Sequence, residues 1–155
     1  MTQKPVLPIE GGCACGALRY ELSAPPVMIY NCHCRNCQKI TGSAFTISAT
    51  VFENALRFSR GEPKRTQWRA DSGNERYGLC GGDGGTRIAN AQSASPGVLS
   101  LRAGTFDDTS WVEPVGDIWT KSAQPWVRFV SDLHDAGQPA DYAPYVERYR
   151  AQGRL

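Results

Sequence analysis

The sequence predicts a mainly β domain closed by one short C-terminal helix. Apolar residues recur with a period of two along most of the chain. The 16 glycines and 10 prolines among 155 residues cut it into short pieces, as in an all-β domain. Only one stretch, near the C-terminus, carries the helical period.

Taken in order, ALRYEL (17–22) sets Leu18, Tyr20 and Leu22 on one side and Ala17, Arg19 and Glu21 on the other, as in a half-buried strand. AFTISATVF (44–52) and GVLSLRAGTF (97–106) repeat this alternation and are rich in β-branched residues. TQWRADSGNERYGLC (66–80) reads as two strands joined by an Asp-Ser-Gly-Asn turn. In DYAPYVERYRAQG (141–153), Tyr142, Tyr145, Val146 and Tyr149 fall at i, i+3, i+4 and i+7, an aromatic stripe suited to packing on the core, with Gly153 as a stop. No repeat, low-complexity tract or linker interrupts the chain, so residues 1–155 are expected to form a single domain.

Charge narrows the function classes. With 17 basic and 15 acidic residues the formal charge is only +2, too balanced for a nucleic-acid or membrane-surface protein. Six thiolates on two zinc ions would bring that balance to neutrality. The N-terminal MTQKPVLPIE has no apolar core of a signal peptide, and no apolar run approaches the ~20 residues of a membrane helix. A cytoplasmic location is therefore expected. Thiols there stay reduced, which favours metal binding over three disulfides for the six cysteines.

The cysteines form two groups. GGCACG supplies Cys13 and Cys15 before a strand, and LCGGDGG supplies Cys80 and Asp83 after one. Glycine-rich turns of this kind aim backbone N–H groups at sulfur, and zinc in a structural site takes four ligands, carboxylate oxygen among the permitted donors. Asp83, three residues after Cys80, stands where a fourth ligand belongs, with water as the alternative. NCHCRNCQKITGSAF (31–45) supplies Cys32, Cys34 and Cys37. Three protein ligands with an open fourth position describe a catalytic zinc. Three thiolates leave that centre net negative, better suited to holding a thiolate than to splitting water. Arg35 and Lys39 either offset this charge or are solvated. His33, between two ligands, points away from the metal if the segment is extended, and reads as a structural histidine. Thr41 and Ser43 read as turn-capping residues. Trp111, Trp119 and Trp126 read as core aromatics, or else as a contact patch.

GGCACGALRY, CHCRNCQKITGSAF, LCGGDGGTRI, AGTFDD and DIWTKSAQPW together resemble the glutathione-dependent formaldehyde-activating enzymes, a family that includes the centromere protein V relatives. The resemblance spans about Gly11 to Trp126. It implies coiled antiparallel β-sheets around zinc, and a carbon–sulfur lyase joining glutathione and formaldehyde into S-hydroxymethylglutathione. It also implies a structural zinc on Cys13, Cys15 and Cys80, with Asp83 replacing a cysteine, and a second zinc on Cys32, Cys34 and Cys37 at the active site. Asp117 stands where many relatives carry histidine, so no role of that histidine transfers. Two zinc ions per chain are thus expected, the three-ligand one partly occupied, with a small thiol such as glutathione as partner. The alternative is a non-catalytic zinc module that recognises a thiol or a protein.

Overall fold

Leu18, Tyr20 and Leu22 are all buried, and Arg19 and Glu21 between them are partly exposed, so the alternation in ALRYEL is the true facing of that strand. In the computed structural model, which describes residues 4–70, 73–81 and 85–153, it is β2 (Arg19–Leu22). β2 lies between β1 (Ile9–Gly12) and β5 (Leu56–Arg60) in an antiparallel three-stranded sheet. Gly11 sits where β1 passes closest to its neighbours, because a Cβ there would collide with the Thr105 carbonyl and the Tyr20 hydroxyl. That hydroxyl is itself held 2.7 Å from Thr105 Oγ1. Gly11→Ala is expected to cost about 1–3 kcal/mol by overpacking. Gly104→Ala, with open space around its Cβ, is the matched control, and urea denaturation midpoints measure both.

The larger sheet comprises β3 (Met28–Cys32), β4 (Thr46–Phe52), β6 (Lys64–Arg69), β7 (Glu75–Gly81), β8 (Thr86–Gln92), β9 (Val98–Arg102), β10 (Asp117–Ile118) and β11 (His134–Asp135). Its order is β11-β10-β3-β4-β9-β8-β7-β6, antiparallel except where β10 joins β3 and β11 in parallel. Cross-strand partners share a face. One face carries Ile29, Ala49, Leu101, Ala89 and Leu79 in register, the first four fully buried in the core shared with Tyr20 and Leu22. The other carries Tyr30, Ser48, Arg102 and, further along, Ser100, Asn90, Gln92, Arg76 and Trp68. That polar face turns toward the site.

Among the described residues, two α-helices accompany the sheets. α2 (Ala143–Ala151) buries Tyr145 and Tyr149 as its period requires, with Tyr142 and Val146 partly covered, and Gly153 follows at φ 72°. Tyr142 and Tyr145 pack their rings 5.9 and 6.2 Å from Tyr30 of β3. α1 (Arg35–Thr41) was not expected from the sequence, where its seven residues show no apolar period.

Candidate metal centre

α1 is what gathers the central cysteines. Cys32 ends β3, Cys34 is the N-cap of α1 and Cys37 lies in its first turn. The Cys34 sulfur accepts from the Cys37 backbone N–H at 3.3 Å, in the manner of a capping oxygen. The helix stops at Gly42, whose φ of 65° lets its N–H reach the Gln38 carbonyl at 2.8 Å. The three sulfurs lie within 4.8 Å of one another, and among the described residues no fourth cysteine, histidine or carboxylate joins them.

Three close sulfurs in a mostly buried place ionise unequally. Hydrogen bonds from Cys32 and Cys37, helped by the backbone N–H groups of Cys37 and Asn36, pull the Cys34 thiol down to about 2. Cys32 is pushed well up by Cys34 and Cys37 and by burial. For Cys37 the bond from Cys32 acts downward, but Cys34 and burial outweigh it and push the thiol up to about 11. Cys34 therefore ionises first, at the helix N-terminus, where a negative sulfur is favoured.

The trio opens onto a cleft between the polar face of the large sheet, α1 and the residues around Trp119. Trp119 adopts φ 59°, a left-handed backbone uncommon for a bulky residue. Its ring lines the cleft, with its indole N–H donating to Gln138 at 3.1 Å. Gln38, buried on α1, donates to the His33 carbonyl at 2.7 Å and to the Ser122 carbonyl at 2.9 Å, tying α1 to that wall.

The residues flanking the trio divide clearly. His33 is fully buried, and its Nε2 donates to Asp117 Oδ1 at 2.7 Å, while Nδ1 finds no partner. It packs against Phe45 and Phe129 and lies outside the sulfur cluster, as a structural residue. Asp117 accepts in addition from Asn31 Nδ2 and from the Val130 N–H, at 3.2 and 2.8 Å. Arg35 and Lys39 are both exposed and neither lines the cleft. The cations that do are Arg102 and Arg76, which sequence reasoning missed because they alternate with core residues as a solvent-facing set would. Thr41 is the last residue of α1, and its hydroxyl donates to the Cys37 carbonyl at 2.7 Å and accepts from the Ser43 N–H, which is capping. The tryptophans form no single patch. Trp111 is buried against Phe106, Trp119 lines the cleft and Trp126 is exposed.

Of the other cysteine group, Cys13 and Cys15 lie on one turn with sulfurs 3.3 Å apart. The Leu18 N–H donates to Cys13 sulfur at 3.1 Å and is the largest influence lowering that thiol's pKa. Ala14 N–H donates to the Thr86 hydroxyl at 3.1 Å, and Thr86 is the cross-strand partner of Gly81, directly after Cys80. The Cys13–Cys15 turn thus meets the end of the strand that carries Cys80. Asp83 and the Cys80 thiol lie outside the described residues.

Comparisons with known proteins agree with this architecture. A solved structure of a Rhodobacter sphaeroides protein is similar over 68% of this chain and 92% of that one, at 20% identity and a TM-score of 0.51, a likeness of fold. No curated protein matches the chain. The family described as glutathione-dependent formaldehyde-activating enzyme matches residues 8–122, most of the sequence and both cysteine groups. The chain belongs to the glutathione-dependent formaldehyde-activating enzyme family.

Proposed function

We propose that this chain is a zinc-dependent enzyme of the carbon–sulfur lyase type, acting on a thiol or its aldehyde adduct, with glutathione and formaldehyde as the prototype pair. The observation that carries this reading is a three-sulfur cluster opening onto a cleft with no fourth protein ligand beside it among the described residues. The donor set suits the metal. Sulfurs bound at ~2.3 Å in a tetrahedron sit about 3.8 Å apart, within the spread of Cys32, Cys34 and Cys37. When bound, zinc lowers the pKa of a thiol that reaches its open position and so supplies a nucleophile at neutral pH.

The chain's own residues do the rest. Cys32, Cys34 and Cys37 supply the charge that the metal requires. Gln38 fixes α1 against the opposite wall, and Trp119 lines the cleft with the sulfurs. In the reaction a C–S bond forms between thiol sulfur and carbonyl carbon, and the carbonyl oxygen takes the proton that the thiol gave up. Nothing is oxidised or reduced. Because thiols add to formaldehyde unaided, the test is the exchange rate between glutathione and its adduct, measured by NMR exchange spectroscopy with zinc-loaded protein. Acceleration over the uncatalysed rate is expected. Metal-loaded protein that binds glutathione without acceleration would instead be a thiol-recognising zinc module.

Cys13, Cys15, Cys80 and Asp83 are proposed to hold a second, structural zinc in a single domain of residues 1–155 that works in the cytoplasm. Supporting this are the paired sulfurs of Cys13 and Cys15 and the hydrogen bond between their turn and Thr86. Asp83→Ala should then lose zinc faster to a chelator, and Asp83→Cys should hold it at least as long as the wild type. Equal retention by Asp83→Ala and wild type would make water the closing ligand. Among the described residues no helix is long and apolar enough to cross a membrane.

A further inference from the structure

Among the described residues, the side chains lining the cleft include no aspartate, glutamate or lysine, but they include two arginines, Arg102 and Arg76. Arg102 is only 6% exposed. Its Nη1 donates to Ser48 Oγ at 3.2 Å, its Nη2 reaches the Asn90 side-chain carbonyl, and its Nε has no partner. Among the described residues no carboxylate forms an ion pair with Arg102 or Arg76. A buried guanidinium with neutral partners and an unused N–H is costly unless an anion completes it. The pair stands on one face of the sheet, Arg102 on β9 near the sulfurs and Arg76 on β7 toward Trp68 and Tyr142. A thiolate cluster holding one zinc carries about one net negative charge, which a single arginine balances. Two arginines exceed that need.

We propose that Arg102 and Arg76 form a carboxylate-binding wall of this cleft, so that the thiol it accepts carries an anionic group as well as its sulfur. This deepens the catalytic reading above and rests on it. Arginine forks match carboxylates in two-bonded geometry, and Trp68, the cross-strand partner of Arg76, and Tyr142 line the same cleft. Neutral thiols of the same size then lack the second anchor.

The test uses the full zinc-loaded chain with S-methylglutathione and its diethyl ester, ligands whose blocked sulfur offers no thiolate to the metal, and reads dissociation constants by calorimetry. The acid is expected to bind wild type about tenfold or more tighter than the diester. Arg102→Met and Arg76→Met should each weaken the acid by about tenfold and leave the diester unchanged, and Arg102→Lys should recover part of the loss. Melting temperatures identify any variant that fails to fold. Arg76 is only partly buried, so its variant decides the matter if Arg102→Met unfolds. Equal binding of acid and diester by wild type, or wild-type affinity for the acid in folded Arg76→Met, overturns the carboxylate-binding role. Discrimination between the ligands with no acceleration of adduct exchange leaves that role standing and removes the catalytic reading. Acceleration without discrimination does the reverse.

Discussion

Cys34→Ser should reduce adduct turnover more than about a hundredfold, while variant and wild type, both stripped of metal, melt within about 2 °C of each other. Two properties of Cys34 separate its chemical role from its structural one. As the N-cap of α1 it accepts from the Cys37 N–H, a task that a serine oxygen performs at least as well. As one of the three clustered sulfurs it is a proposed metal ligand, and a serine hydroxyl stays neutral near pH 7 and is a poor zinc donor. Even residues that only support a ligand from behind change metal affinity or activity by 10–100-fold, so loss of a direct ligand should exceed that range. Metal content per chain and the exchange rate should fall together. Retained turnover would remove the trio from the chemistry. A collapse of the melting temperature would mean that the trio serves the fold first.

The second large effect is on stability. Asp117→Ala should lower unfolding free energy by about 3 kcal/mol or more, a fall of about 6–12 °C in Tm for a chain of this size. Asp117 is fully buried and accepts from three donors: His33 Nε2, Asn31 Nδ2 and the Val130 N–H. Alanine leaves the buried His33 and Asn31 donors and the partly exposed Val130 N–H without this acceptor, and each buried orphan costs about 1–3 kcal/mol. Asp117→Asn preserves the shape and one carbonyl acceptor, so it should fall between the two. Chemical denaturation of the three proteins measures the series. Equal stability of Asp117→Ala and wild type would mean that the Asn31, His33 and Val130 groups find other partners. Because His33 stands between Cys32 and Cys34, the same variant should also retain zinc less well.

These two cases mark how far the sequence could be read. Cys34 was legible at once, because three cysteines within six residues have few chemical explanations. The helix that aims it was not, since α1 has no apolar period and is made by a sulfur N-cap and a glycine stop rather than by an amphipathic face. Asp117 was visible only as a residue that differs from many relatives. Its role came from pairing β10 with β3 in parallel, a contact between segments more than 80 residues apart that no local pattern announces.

By itself the sequence determined the mainly β class, the C-terminal helix, the facing of β2, β4 and β9, and the clustering of Cys32, Cys34 and Cys37. Each of these is written in local spacing: a period of two, a period of 3.6, and donors a few residues apart. Only the tertiary structure decided that Arg102 and Arg76 share a cleft with that trio. Alternation says which residues lie opposite the core, but not whether that second face meets water or another wall of the protein. Here α1, Trp119 and Tyr142 cover it, turning what reads as a solvent face into the lining of a site.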